Sequence, residues 1–318
     1  MAQSDQENFH DTEPSFTKIA SLAGHTDTVK VLKFSSDGRL LASAGQDSSV
    51  KIWDARHYKL HKNLIGHEQE IWDLAWSNDD TLLASSSSDR TVRLWDVLVG
   101  KCLRILKHKW SVFCCNFNPS LSLIVSGSDK AIIHVWDVKT GNFIKFLKTR
   151  SQCRVSALCF NEDGTAIICG TISGTWSLWD TGSDLCLATY VSDGSTISAI
   201  NLLPTGNRIL VTHGCRFIEF WNLSEKIEEM HCFKTLFLSN EQYISMSESP
   251  TNNDLWIVTI RRQQDELNIW SLEKKEIIKR FKCDIGQISC GTCHRTTRII
   301  AAAASKDQTI TMWKNEIN

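Results

Sequence analysis

Seven tryptophans recur down this chain at nearly even intervals. They are Trp53, Trp95, Trp136, Trp179, Trp221, Trp270 and Trp313, spaced 42, 41, 43, 42, 49 and 43 residues apart. A period near 40 residues means repeated supersecondary blocks that cannot bury their apolar faces alone, so neighbours must stack. The best-formed block runs from Gly24 to Asp54. It opens on Gly-His, closes on Trp-Asp, and holds three short alternating runs broken by Ser36-Asp37-Gly38 and Gln46-Asp47. Period-two alternation between such turn residues is strand chemistry.

Gly-His and Trp-Asp marks at this period are the signature of the WD repeat. The chain is therefore predicted to be all-β: a seven-bladed WD-repeat β-propeller with four strands per blade, each blade ending at its tryptophan. Residues 1–14 (MAQSDQENFHDTEP) are polar and acidic, with little to bury, and are expected to form a disordered tail. The propeller is expected to occupy 15–318. The run Phe16 to Leu22 reads as a strand, yet precedes the first Gly-His. It is predicted to complete the last blade and close the ring, leaving only short protected edges. The 49-residue interval predicts an insertion in blade six, near Met230 to Asn240 or in Gln263-Gln264-Asp265.

The marks predict a buried hydrogen-bonded network in which Asp orients the imidazole, Ser bridges, and the indole N–H finds an acceptor. Such a network is worth having only when fully satisfied. Its members are His25, Ser43, Asp47 and Trp53 in blade one, and His67, Ser85, Asp89 and Trp95 in blade two. Blade three keeps His108 and Trp136 but has Lys130 at the turn position. Blade four has Ser151 and Ser173 in the His and Asp places, and blade five has Asp193 and Cys215. Blade seven keeps Asp307. Blades four to seven therefore read as loose, and the second half of the ring as the weaker part. His25, Ser43 and Asp47 also imitate a hydrolase triad. The set recurs in blade two, however, and a triad must present its nucleophile to a cleft.

Several stretches closely resemble the WD-repeat scaffold subunit of Set1/MLL-type (COMPASS-type) histone methyltransferase complexes. They include VFCCNFNPSLSLIVSGS (Val112 to Ser128), WDVLVGKCLRILKH (Trp95 to His108), VSALCFNEDGTAII (Val155 to Ile168), NEQY (Asn240 to Tyr243) and TCHRTTRIIAAAASKDQTITMWK (Thr292 to Lys314). The resemblance runs from about Phe16 to the end and is that of a diverged paralogue. It implies a site at the top of the central channel, where the family sandwiches a partner's arginine between two phenylalanines. Phe113 matches the first phenylalanine, and Met246 replaces the second. Lys30 and Trp72 replace rim serines, Gln46 an alanine and Ser88 an aspartate. Asp129 stands for a phenylalanine, Ile172 for a tyrosine and Ile244 for a cysteine, while Tyr243 is kept. Cation–π attraction needs aromatic faces and is disfavoured by a like charge nearby. The inherited pocket is thus expected to be narrowed or remodelled. The family's second groove is implied at Thr205, Arg208, Phe220 and Thr251, also altered.

The remaining features narrow the function. With 35 basic and 36 acidic residues the net charge is -1, which leaves no electrostatic footprint for nucleic acid or an anionic membrane. The apolar runs are strand-length, and the polar, acidic N-terminus is not expected to act as a signal peptide. Twelve cysteines are then expected to stay reduced and to pack as small apolar residues. Cys290-Gly291-Thr292-Cys293-His294 matches a haem-attachment pattern, but on a strand its two thiols face apart, as do those of Cys114 and Cys115. Arg261-Arg262 reads as a solvated pair. Trp76, Trp176 and Trp256 are expected between blades. Trp72 and Trp110 read equally as core plugs or exposed anchors. No enzyme motif, metal-ligand spacing or cofactor is indicated. The expectation is an intracellular, non-catalytic scaffold, monomeric within a hetero-complex, whose partners are peptide segments of complex subunits or a histone tail. The resemblance implies the nucleus and chromatin. A cytoplasmic paralogue scaffolding a different complex is the alternative.

Overall fold

The computed structural model describes residues 15–203, 208–224, 229–238, 241–248, 255–261, 265–294 and 296–316, with the side chains of 243–248 and 316 outside that description. The expected tail, 1–14, lies outside the described residues.

Seven four-stranded antiparallel sheets make the ring. Blade one is typical: Val29–Phe34, Leu40–Gly45, Ser49–Asp54 and Lys59–Ile65, from the channel outward. The repeat tryptophan sits on the third strand of its blade, and a fourth strand follows in the same sheet. The Trp-Asp mark therefore ends a sequence repeat and not a blade, contrary to the expectation. The fourth strand of blade seven is Ser15–Leu22, which pairs with Ile310–Glu316 from Ser15↔Glu316 to Leu22↔Ile310. Apolar side chains collect in seven layers, one between each pair of neighbouring blades. The layer between blades six and seven takes Phe16 of the closing strand, whose ring stacks on Phe281 at 5.2 Å.

The long interval begins earlier than the sequence expectation, within blade five. Eight residues of sequence separate the third strand of blade five, which ends at Asn222, from the fourth, which begins at His231, against four (55–58) in blade one. Part of the extra length therefore lies in blade five and runs up to Met230, where the first expected stretch begins, while Gln263 and Gln264 lie outside the described residues.

In blade one, His25 Nδ1 donates to Asp47 Oδ2 (2.7 Å), Ser43 donates to His25 Nε2 (2.6 Å), and Trp53 Nε1 donates to Ser43 Oγ (2.7 Å). His67, Asp89, Ser85 and Trp95 repeat this geometry at 2.7, 2.7 and 2.8 Å. Burial works against the Asp47 charge, but the imidazole and the turn amides outweigh it and hold its pKa at about 2. Ser43 and Ser85 are fully buried and accept an indole N–H, so neither faces a cleft. Blade three satisfies the imidazole otherwise: His108 Nδ1 donates to Leu106 O (3.0 Å), Ser126 serves Nε2 (2.8 Å), and Trp136 donates to Ser126 (3.1 Å).

Blades four to six do not lose the indole acceptor; they exchange it. Trp179 donates to Ser177 (2.8 Å) on its own strand, where Cys169, directly opposite Ser177, occupies the usual serine place. Trp221 donates to Glu219 (3.0 Å), which also accepts from His213 Nε2 (3.1 Å). In blade six the fully buried Glu241, close to the position that other blades give to histidine, takes over that part. It accepts from Thr259 (2.5 Å), Asn268 (2.8 Å), Trp270 (3.1 Å) and Arg261 (3.1 Å). Reading the later blades as loose missed these substitutes, which fill the same physical need from other positions. Arg261 is accordingly held by Glu241 and by Glu266 (3.6 Å) and is not a solvated residue, while Arg262 lies outside the described residues.

Two outcomes follow. Glu241→Ala strands several buried donors at once and should destabilise the protein by about 3 kcal/mol in chemical denaturation, with Glu241→Gln costing clearly less. Burial, with a small contribution from its neighbour, depresses His108 to about 3, and burial depresses His134 to about 4. Both must stay neutral in the fold, whereas the unfolded chain protonates near pH 6.5. Their contribution is complete above pH 6.5 and is lost as the pH falls toward 3. His134→Phe should flatten the fall in unfolding free energy measured between pH 6.5 and 4; an unchanged slope would contradict this account.

Candidate functional site

Every innermost strand begins with the same irregularity. One residue is inserted relative to the neighbouring strand: Lys30, Trp72, Phe113, Ser156, Ser198, Ile244 and Ser289 in blades one to seven. A bulge residue lacks a ladder partner, and its side chain is re-aimed. Lys30, Trp72, Phe113, Ser156 and Ser198 all line the central channel, whose volume is about 710 Å³.

A second ring surrounds the first. Gln46, Ser88, Asp129 and Ile172 open the hairpins between the second and third strands of blades one to four. Their backbone N–H groups donate to Thr28 O (2.9 Å), Glu70 O (3.0 Å), Ser111 O (3.3 Å) and Arg154 O (3.1 Å), at the entrance of each inner strand. The structure thus brings Lys30, Gln46, Trp72, Ser88, Phe113, Asp129 and Ile172 to one end of the ring, here called the upper face. The side chains of Tyr243, Ile244 and Met246 lie outside the described residues.

The rings at this mouth engage one another. Trp72 Nε1 donates to Ser88 Oγ (2.7 Å), and Ser88 donates to Glu70 Oε1 (3.3 Å). The Trp72 ring leans on Phe113, with centroids 5.6 Å apart at 48°. Lys30 Nζ lies 5.8 Å from the Trp72 centroid, and Arg154 Cζ lies 4.2 Å from that of Phe113. Cation, ring, ring, cation: the chain supplies both partners of two cation–π contacts across blades one to four. Trp72 is neither a buried plug nor a free anchor. It is a half-buried wall of the mouth, pinned by its own indole hydrogen bond. Arg154 Nε is buried with no hydrogen-bond partner among the described residues, so the contact with Phe113 is what the structure offers that guanidinium.

Sequence reasoning missed Arg154 and the serines of the bulge ring. Position alone could have found Arg154, since it directly precedes buried Val155 as Thr28 precedes Val29 and Ser111 precedes Val112. Beside this mouth Trp110 is 36% exposed, with Lys109 Nζ at 5.4 Å and Lys130 Nζ at 5.9 Å from its ring. With Arg150 and Arg154, the loops of blades three and four present four cations and one carboxylate, Asp129.

The other expectations sort as follows. Cys114 packs between blades three and four and Cys115 between two and three, while Cys290 and Cys293 likewise enter different layers. All twelve cysteines are free thiols, and burial raises Cys159 to about 12. Trp176 and Trp256 are buried between blades, and Trp76 packs against the layer between blades one and two, donating to Lys33 O (2.9 Å). Of the second groove, Thr205 and Thr251 lie outside the described residues. Phe220 is fully buried in the layer between blades five and six, and so presents no surface; Arg208 donates to Asn222 (3.0 Å) and covers Phe233. Among the described residues no group of three His, Cys, Asp or Glu could hold a metal ion. No helix in them is long and apolar enough to cross a membrane.

The family model described as "WD domain, G-beta repeat" matches residues 16–54, 58–96, 100–137 and 141–180. These boundaries follow the sequence repeat, each beginning at or just before the outer strand of the preceding blade. Among curated proteins, Ribosome assembly protein 4 of Chaetomium thermophilum is 51% identical over 45 residues, covering 14% of this chain and 9% of that protein. The CCR4-associated factor 4 homolog of Candida glabrata is 56% identical over 36 residues, covering 11% of this chain and 6% of that protein. The matches thus span less than a tenth of either relative and concern single repeats. Among solved structures, the Cps50 (Swd1) β-propeller domain of Myceliophteria thermophila superposes with a TM-score of 0.81 at 17% identity, covering 94% of this chain and 99% of that one. That likeness is one of fold, and it agrees with the seven-bladed WD-repeat propeller described above.

Proposed function

We propose that this chain is a non-catalytic scaffold that holds a segment of a partner protein at its upper mouth. The observation that carries this reading is the convergence of the bulge ring and the hairpin ring on one opening. An aromatic pair, cations and hydrogen-bonding groups all meet there. A peptide suits such a mouth, since one side chain can enter the channel while its main chain meets polar rim groups. The buried triad-like sets leave no exposed nucleophile, which favours a scaffold over an enzyme.

The chain-wide resemblance supports a Set1/MLL-type histone methyltransferase complex in the nucleus as the assembly served. Arg154 favours a second reading, in which the ring serves another complex, in the cytoplasm. A partner arginine would meet Lys30 and Arg154 as like charges, at an aromatic ring already taken. In both readings the segment received differs from the family's arginine peptide.

Affinity purification of the tagged protein from its native cells separates the two. Recovery of a methyltransferase with its core subunits in near-equal amounts supports the first reading, and a different reproducible set supports the second. The unaltered protein should bind the family's arginine peptide weakly or not at all. Lys30→Ser, Trp72→Ser and Arg154→Ser combined should gain affinity of about tenfold or more, roughly the loss of two like charges, one of them the competitor for the Phe113 ring. Continued absence of binding in that variant, correctly folded, would refute self-occupancy of the mouth.

A further inference from the structure

The seam where blade seven meets blade one holds a second cavity, of about 520 Å³, away from the upper mouth. It lies on the lower face, among the first hairpins of both blades, the turn after Asp54 and the end of the last strand. Its composition departs from the repeat at two adjacent positions.

In blades one to four the residue after the repeat tryptophan is Asp54, Asp96, Asp137 or Asp180. Each carboxylate accepts from amides of the following turn. Blade seven has no such turn, because its fourth strand arrives from the other end of the chain. Lys314 stands in the aspartate's place. The next position is buried and apolar in blades one to three, as Ala55, Val97 and Val138. In blade seven it is Asn315, 4% exposed and lining the cavity, and neither Oδ1 nor Nδ2 has a hydrogen-bond partner among the described residues. Burying an amide without partners is unfavourable, and an apolar residue serves the fold at this position elsewhere.

The charges point the same way. Arg56, Arg298 and Lys314 line the cavity and face one carboxylate, Asp37. That carboxylate is already engaged by the Ser35 hydroxyl (2.8 Å), the Arg39 amide (2.9 Å) and Arg39 Nε (3.3 Å).

We propose that this seam is a binding pocket for a phosphate monoester. Arg56, Arg298 and Lys314 meet the anion, which carries about -1.5 to -2 charge near neutral pH. The Asn315 amide pairs with a neighbouring polar group of the ester, and Tyr58 walls the opening. The volume falls within the roughly 300–1,000 Å³ of small-ligand sites. The ester comes either from a phosphorylated side chain of a partner or from a free small molecule.

Calorimetric titration of the full chain with O-phosphoserine, with serine as control, tests this. The expected result is saturable binding of O-phosphoserine alone. Affinity should fall about tenfold in Lys314→Gln, the loss of one charge-assisted contact, and should fall also in Asn315→Val. The valine variant, matching Val97 and Val138, should have a raised Tm, which shows that it folds. A phosphoserine peptide binding at least about tenfold tighter than the free amino acid identifies a partner protein as the source; equal affinity identifies a small molecule. Absence of saturable binding, or affinity unchanged in both variants, overturns the proposal. The scaffold reading concerns the upper mouth and survives that result.

Discussion

A single strand pairing holds the ring together: Ser15–Leu22 lies antiparallel to Ile310–Glu316 and joins the two ends of the chain across one sheet. Without it, blade seven would have three strands and an open edge, and sheet edges are templates for unwanted pairing. Its apolar residues would also lose a cover, since Phe16 packs into the layer between blades six and seven, and Ile19, Ala20 and Leu22 into that between seven and one. The closure has a local consequence too. Blade seven lacks the turn that other blades cap with aspartate, so its last strand is free to carry Lys314 and Asn315 into the seam.

Within each blade the buried tryptophan imposes a demand: an indole N–H removed from water needs an acceptor. Blades one to three meet it with a serine on the second strand. Blade four moves the serine to the third strand, opposite Cys169; blade five uses Glu219; blade six uses Thr259 and Glu241. The acceptor can change because several positions surround the same indole. Cross-strand neighbours are close enough in a pleated sheet for either one to serve. The tryptophans are fixed, and the residues that satisfy them are interchangeable.

That distinction explains what could be read in advance. The strands, the seven blades, the closing strand and the complete networks of blades one and two follow from short-range pattern. Period-two alternation and the spacing of 28 residues from His25 to Trp53 are both visible in one dimension. Glu241 was not visible as an acceptor, because its partners on the second and third strands are chosen by cross-strand register; Glu219 sits two residues before Trp221 on the same strand, but its second partner, His213, lies across the hairpin. The rim was legible in part. Lys30, Trp72 and Phe113 were placed by resemblance, and the structure supplies the reason they share a mouth: each is the inserted residue of a bulge. The place of Arg154 before Val155 was legible, but its contact with Phe113 was not, since that joins residues of two different blades.

The sequence by itself determined the architecture, because seven repeats with Gly-His and Trp-Asp marks specify blades whose apolar faces must stack, and a strand before the first repeat supplies the partner that closes the ring. It also determined the chemistry available at the mouth, an aromatic pair among cations. Tertiary structure alone decided how that chemistry is spent. Curvature of the ring brings Lys30, Trp72, Phe113 and Arg154 into one chain of contacts, so that the Phe113 ring already carries a guanidinium of the protein's own. It likewise decided that Arg56 and Arg298, far apart in sequence, share a cavity with Asn315. Such pairings depend on distances across blades, and no local pattern in the chain encodes them.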